Sequence, residues 1–149
     1  MTSSPIDDKT YPTPAKIQKR IFAAIIDFII LLCIFTIIGI FFGDTYTTDD
    51  GSGFHLTGLP AFICFCICVL IYPIQEAMTG QTIGKRVFKL KVVSQDNKPH
   101  SFGQPIVRHL FDIIDMFPSF GLTGIIVASN TNLKQRVGDL VAKTIVVDE

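Results

Sequence analysis

Residues 20–42 read RIFAAIIDFIILLCIFTIIGIFF, and the fold is decided there. From Ile21 to Phe42 only Asp27, Thr36 and Gly39 interrupt the apolar run. At about 1.5 Å of rise per residue it reaches roughly 33 Å, enough to cross a hydrocarbon core of about 30 Å. A signal peptide does not account for it. An h-region holds only about 7–15 residues and gives way to small side chains, whereas this run ends Gly39-Ile40-Phe41-Phe42. It reads as a retained span over residues 21–42.

On its N-terminal side, residues 1–12 are polar and turn-rich and read as a flexible tail. Thr13-Pro14 then resembles an N-cap with proline in the first turn, so a single membrane domain is expected over residues 13–149. On the other side, residues 59–78 form a second span, bracketed by Pro60 and Pro73. A third apolar segment, residues 105–128, carries Arg108, His109, Asp112 and Asp115 and is broken by Pro118, Ser119 and Gly121. The whole chain agrees with a membrane: 48% of its 149 residues are hydrophobic and 17% charged, with mean hydropathy +0.46, where a soluble domain carries about 25% charged residues. Thirteen Lys+Arg balance thirteen Asp+Glu, which gives no support to a nucleic-acid partner.

The charges set a topology. Residues 43–58 hold Asp44, Asp49 and Asp50 without Lys or Arg, whereas Lys16, Lys19 and Arg20 precede the first span and Lys85, Arg86, Lys89, Lys91 and Lys98 follow the second. By the positive-inside rule the N-terminus and residues 79–104 are cytoplasmic. A third crossing would carry Lys134, Arg136 and Lys143 outside. It would also separate the β-branched runs Leu90-Lys91-Val92-Val93-Ser94 and Thr144-Ile145-Val146-Val147, which are suited to pair as a small cytoplasmic sheet. A re-entrant path is therefore favoured, helical over 105–117, turning at 118–121 and returning over 122–128, with a plain third span as the alternative. The fold class is an all-α membrane protein: two full transmembrane helices, a third re-entrant or membrane-spanning apolar segment, and a small cytoplasmic β-pair.

Residues 132–149 read as a cytoplasmic amphipathic segment. Asn132 and Gln135 resemble a capping box that starts a short helix, with Leu133, Val137, Leu140 and Val141 on its apolar face and Gln135, Arg136, Asp139 and Lys143 on the other. No internal repeat stands out. Cys33, Cys64, Cys66 and Cys68 all fall in apolar runs, and the last three turn about 200° from one to the next on a helix, so they suit small buried hydrophobes and not a metal site.

Chemistry would sit at the ionisable residues inside apolar segments. Asp27 lies in the hydrocarbon about 10 Å along the helix from Arg20 and must be protonated, paired or turned to water or protein. A structural ion pair and an ion or proton site are both open to it. Arg108, Asp112 and Asp115 make a second polar stripe, expected to face water from an interfacial helix. Glu76 and His109 read as interfacial side chains. Lys85, Arg86, Lys89 and Lys91, interleaved with Ile83, Val87, Phe88 and Leu90, read as contacts for anionic lipid headgroups. No Ser/His/Asp or Cys/His arrangement and no phosphate-binding glycine loop is present, so no enzyme, metal or cofactor is expected.

Four ordered motifs resemble the RDD family of membrane proteins: Arg20 through Asp27 as R-x-x-A-x-x-[IL]-D, Gly80-Gln81-Thr82-Ile83-Gly84-Lys85-Arg86, Leu90-Lys91-Val92-Val93, and Gln135-Arg136-Val137-Gly138-Asp139-Leu140 with the Thr144 run. The family's arginine matches Arg20, its first aspartate Asp27 and its second Asp139, with Asp115 as the other alignment. Lys89 and Lys143 stand where the family often has glycine. The resemblance implies a multi-pass protein of the bacterial inner membrane that transports an unknown ligand, with Na⁺ or H⁺ exchange at Asp27 as one form. Two spans cannot enclose a pore, so transport implies a homo-oligomer or a membrane partner. Arg20 is expected to pair with Asp139, which leaves Asp27 facing the interior of the helix assembly and available to a proton or cation; the alternative is a non-transporting scaffold in which Arg20, Asp27 and Asp139 are structural charges. Single cysteines in a Cys-free background test the topology: position 49 should react with impermeant reagent from outside and position 146 only after the membrane is opened, and external labelling at 146 would exclude the re-entrant path.

Overall fold

A computed structural model describes residues 13–95, 101–119 and 122–149, with side chains for all of these except 113–119. The tail expected over residues 1–12 and the centre of the turn at 120–121 lie outside the described residues. Helices α1 (Ile17–Phe42) and α2 (Gly58–Thr79) are the two long apolar elements, with mean hydropathy 3.0 and 2.0 over their most apolar windows. Only 11% of each window is buried. A helix in a soluble core would be covered by protein, whereas Phe22, Phe28, Ile37 and Phe41 are each more than half exposed and need an apolar solvent. The buried residues of α1 include Arg20, Ala23 and Asp27, at i, i+3 and i+7 on one face.

Helix α1 starts later than the Thr13-Pro14 pattern suggests. Its N-cap is Lys16, and Pro14 instead bridges Val147 while the Ala15 N–H donates to Val146 O at 2.9 Å. Proline has no N–H to give a helix or a ladder, so it suits this edge position. Between the spans, β1 (Asp44–Thr48) and β2 (Gly51–His55) form an antiparallel hairpin, where the sequence suggested only an acidic loop. Its two-residue turn is Asp49-Asp50, followed by Gly51 at φ 149°. Phe54 closes it down onto α1, its ring tilted against Phe35 at 5.3 Å and lying over Gly39, where a Cβ would strike the Phe54 ring.

Past α2, whose left-handed C-cap is Gly80, the chain forms α3 (Ile83–Val87) and β3 (Leu90–Ser94), then α4 (Gly103–Ser119), α5 (Leu122–Asn130), α6 (Val137–Val141) and β4 (Thr144–Asp148). The two β-branched runs pair antiparallel, from Leu90↔Asp148 to Ser94↔Thr144. Under this ladder lies the core, in which Ala15, Ala23, Leu90, Val92 and Val146 pack together with Phe88 against them. The helix expected from Asn132 begins instead at Val137 and lasts five residues. Its faces are reversed: Gln135 and Asp139 point inward while Leu140 and Val141 are exposed. Buried arginines claim Asp139, and that pairing outweighs exposing two aliphatic side chains.

The third apolar segment begins and ends on one side of the molecule. Near the start of α4, the Gln104 amide donates to Ala142 O at 3.0 Å. Four residues past the end of α5, Lys134 O accepts from the Arg20 guanidinium. Both ends thus lie beside the ladder and the foot of α1.

The chain also repeats itself, contrary to the sequence reading. Gln81, Gly84, Val87, Lys89, Val92 and Val93 recur, at one constant spacing, as Gln135, Gly138, Val141, Lys143, Val146 and Val147. Each set builds a five-residue helix, a lysine at positive φ (53° at Lys89, 52° at Lys143) and a five-residue strand. Val92 pairs with its own counterpart Val146, so a local two-fold axis passes between them. Ahead of these units, Arg20…Ile25-Ile26-Asp27 on α1 recurs as Arg108…Ile113-Ile114-Asp115 on α4. Gly84 packs on Ala23 O and Gly138 on Arg108 O, closer than any Cβ would allow. The repeat is hidden because the two helical hairpins differ in length and only the residues at close approaches and turns match. Lysine in the left-handed region is strained by about 1–2 kcal/mol relative to glycine. Lys143→Gly is therefore expected to raise the melting temperature in detergent, and an unchanged or lower value would contradict the strain.

Candidate functional site: a charged cavity between the two halves

Arg20 leaves the foot of α1 on the same face as Asp27, and both meet residues from the short helices. Arg20 Nη2 lies 2.5 Å from Asp139 Oδ2, and Nη1 donates to Lys134 O. Arg108, one turn into α4, reaches Asp139 Oδ1 at 3.4 Å through Nη1 and Glu76 through Nη2. Lys85 of α3 pairs with the same Glu76 oxygen. Three cations from α1, α3 and α4 thus share two carboxylates.

This overturns sequence expectations at three residues. Arg108 does not face water but is 3% exposed, and Glu76 is not interfacial but fully buried. The reason is mutual: neither charge is tolerable away from water alone, and each supplies the other's partner. Lys85 likewise turns inward to Glu76, leaving Arg86 and Lys89 as the exposed basic residues of that stretch, while Lys91 lies 3.6 Å from Glu149. The side chain of Asp115 lies outside the described residues. Nothing in the one-dimensional pattern linked Glu76 to Arg108; the available signal was a carboxylate three residues after Pro73, near the end of a mostly apolar span.

Asp27 has different partners. Its Oδ1 accepts the Gly84 N–H at 2.8 Å and its Oδ2 the Thr82 hydroxyl at 2.5 Å, so a carboxylate from the apolar helix α1 caps the first turn of α3. Thr82 is itself the N-cap residue of α3. Tyr72 of α2 donates to the backbone carbonyl of Asp27. The site candidate and the Arg20–Asp139 pair are therefore separate arrangements on one helix face.

Together these residues line a cavity of about 350 Å³. Its wall carries Arg20, Asp27, Lys85, Arg108, Asp112 and Asp139, with Arg136 from the N-cap of α6. Wall residues come from α1, α2 and α3 on one side and α4, α5 and α6 on the other, so the cavity lies between the two halves. His109 Nδ1 holds Asp112 Oδ2 at 3.1 Å. Burial works against the charge on Asp139, but Arg20 and Arg108 overcome it and hold its carboxyl below the ordinary range. Burial, reinforced by Arg108, pushes Lys85 down despite Glu76. Burial and then the neighbouring Arg20 push Arg136 down as well. None of the four cysteines is bonded to another.

Because the folded Asp139 carboxyl titrates below its unfolded value near 4, its stabilisation is present above that value and lost as pH falls through the folded pKa. Asp139→Asn leaves two buried arginines short of a carboxylate and should cost about 3–5 kcal/mol. In detergent melts the wild-type chain should lose stability on acidification below about pH 4, and the variant should be less stable at neutral pH with a flatter acid response. A variant as stable as wild type would remove Asp139 from its central place.

The RDD family model matches residues 14–143 of the chain. No curated protein and no solved structure matches it.

Proposed function

Because the chain belongs to the RDD family, a family of membrane proteins, we propose that it binds a ligand in the cavity between its halves and carries it across the bilayer. The observation that supports this is the placement of a 350 Å³ charged cavity at the interface of an internal repeat. Secondary transporters are commonly built from repeats, and their substrates bind where the repeats meet. In this reading α1 and α2 cross the membrane, α4 and α5 enter and return, the ladder and both termini are cytoplasmic, and the β1–β2 hairpin is outside. The membrane is the bacterial inner membrane, and a second copy or a membrane partner completes the path.

Asp27 supplies a means of coupling. Both its oxygens accept bonds from the start of α3. A proton on one oxygen, or Na⁺ displacing the Gly84 N–H, weakens that cap and loosens α3 from α1, which moves one wall of the cavity. A second reading, a scaffold without transport, is favoured by a specific fact: Arg20, Asp27 and Asp139 all have protein partners.

Liposomes holding an internal pH dye separate the two. Challenge with Na⁺, Li⁺ and K⁺ should produce proton flux in wild type and none in Asp27→Asn, which keeps one carbonyl oxygen to accept from Gly84 and should remain folded. The Ala24→Phe variant, which fills the cavity from an exposed position on α1, should also be silent. A silent wild type together with an Asp27→Asn variant of reduced folded yield would establish the scaffold instead.

A further inference from the structure

The two ends of the cavity differ in chemistry. At the charged end, Arg20, Lys85 and Arg108 are consumed by Asp139 and Glu76, and Asp112 is held by His109. Arg136 is different. Among the described residues its guanidinium has no carboxylate within ion-pair distance and no hydrogen-bond acceptor, although its own backbone N–H donates to Asp139 Oδ2 at 3.0 Å. Arg108 Nε, in a side chain that is almost fully buried, also lacks an acceptor. A guanidinium stays charged under all ordinary conditions, and that of Arg136 is half-buried in the cavity wall, with Asp112 and Asp139 acting on it only from beyond ion-pair distance. The cavity thus presents unused donors that call for an anion.

At the other end the wall is apolar, with Ala24, Phe28 and Leu31 at i, i+4 and i+7 along α1 and Gly124 of α5 opposite. Ala24 and Phe28 are exposed on the lipid-facing surface of α1, so the cavity is continuous with the surface that lipid covers.

We propose that the cavity is a binding site for an anionic phospholipid entering sideways from the bilayer, its phosphate on Arg136 and its acyl chain along Ala24, Phe28 and Leu31. A soluble anion would satisfy the charged end but leave the apolar wall unfilled, a lipid without a phosphate would leave Arg136 unpaired, and a zwitterionic phospholipid would bring a cation beside it. The same guanidinium geometry suits any phosphate, so the test separates the two sources. The inference rests on the cavity being the ligand site.

Delipidated protein in detergent, studied by native mass spectrometry, is titrated with phosphatidylglycerol, phosphatidylcholine and inorganic phosphate. Phosphatidylglycerol should bind best, because it brings only the phosphate charge, whereas phosphatidylcholine brings an ammonium next to the Arg136 guanidinium. Arg136→Gln should weaken phosphatidylglycerol about tenfold, Arg136→Lys less, and Lys143→Gln, exposed and outside the cavity wall, hardly at all. Ala24→Phe should exclude the lipid, and a melting temperature equal to wild type would show that the fold is kept. Equal binding of phosphatidylglycerol by folded Arg136→Gln, equal affinity for phosphatidylcholine, or inorganic phosphate binding as tightly as the lipid and persisting in Ala24→Phe would each overturn the proposal. If Ala24→Phe silences flux in liposomes while lipid binding ignores both variants, the cavity is still the ligand site and only the lipid assignment fails; if Ala24→Phe changes neither flux nor binding, both fail.

Discussion

Asp139 receives one arginine on each of its oxygens, Arg20 from the first helix of one half and Arg108 from the first helix of the other. At 2% exposure the carboxylate has no water to fall back on, and the two guanidinium groups have no other route to neutrality at that position except Glu76, which Arg108 already uses. Three elements, α1, α4 and α6, are held in one relative position by this requirement. Removing any member leaves a buried charge uncompensated, a larger penalty than the pair's own net contribution. Glu76 extends the constraint to α2 and α3 through Arg108 and Lys85.

The repeat explains why the charges converge. Two copies of a helical hairpin followed by a short helix and a strand meet along the β3–β4 ladder, with Val92 opposite Val146. The glycines at the second position of each short helix allow it to approach its long helix at backbone distance. That approach brings the N-terminus of α3 to Asp27 and the N-terminus of α6 to the arginines. The halves have diverged in what they use there: Lys85 stands in the first where Asp139 stands in the second. Arg20–Asp139 and Arg108–Glu76 therefore pair across the halves, in addition to Lys85–Glu76 within the first and Arg108–Asp139 within the second, and the space left between the halves is the cavity.

Much of the architecture was legible along the chain. The two apolar runs had the length and uniformity of spans, and α1 and α2 follow them closely. The β-branched runs were recognisable because charged neighbours bounded them, and they pair in register. The Asp49-Asp50 turn was missed as a hairpin because Thr and Gly on short exposed strands carry no burial alternation. The short helix was misplaced because Asn132 and Gln135 fit a local capping pattern, whereas Arg136 and Asp139 were fixed by distant partners. Glu76 and Arg108 were assigned to an interface because each is costly when considered alone.

Hydropathy, charge asymmetry and β-branching are local or summed properties, so the sequence by itself determined membrane character, the two long helices, the strand pair and the kinship with the RDD family. It also offered the Arg20–Asp139 pair, once the family motifs were set side by side. Only the tertiary structure decided that Asp27 caps α3, that Glu76 and Lys85 join the arginine network, that the third segment has both ends beside the ladder, and that a cavity separates two related halves. These depend on which residues, more than thirty positions apart in several cases, are brought within a few ångströms. The free energy of a buried charge is set by that neighbourhood and not by its place in the chain.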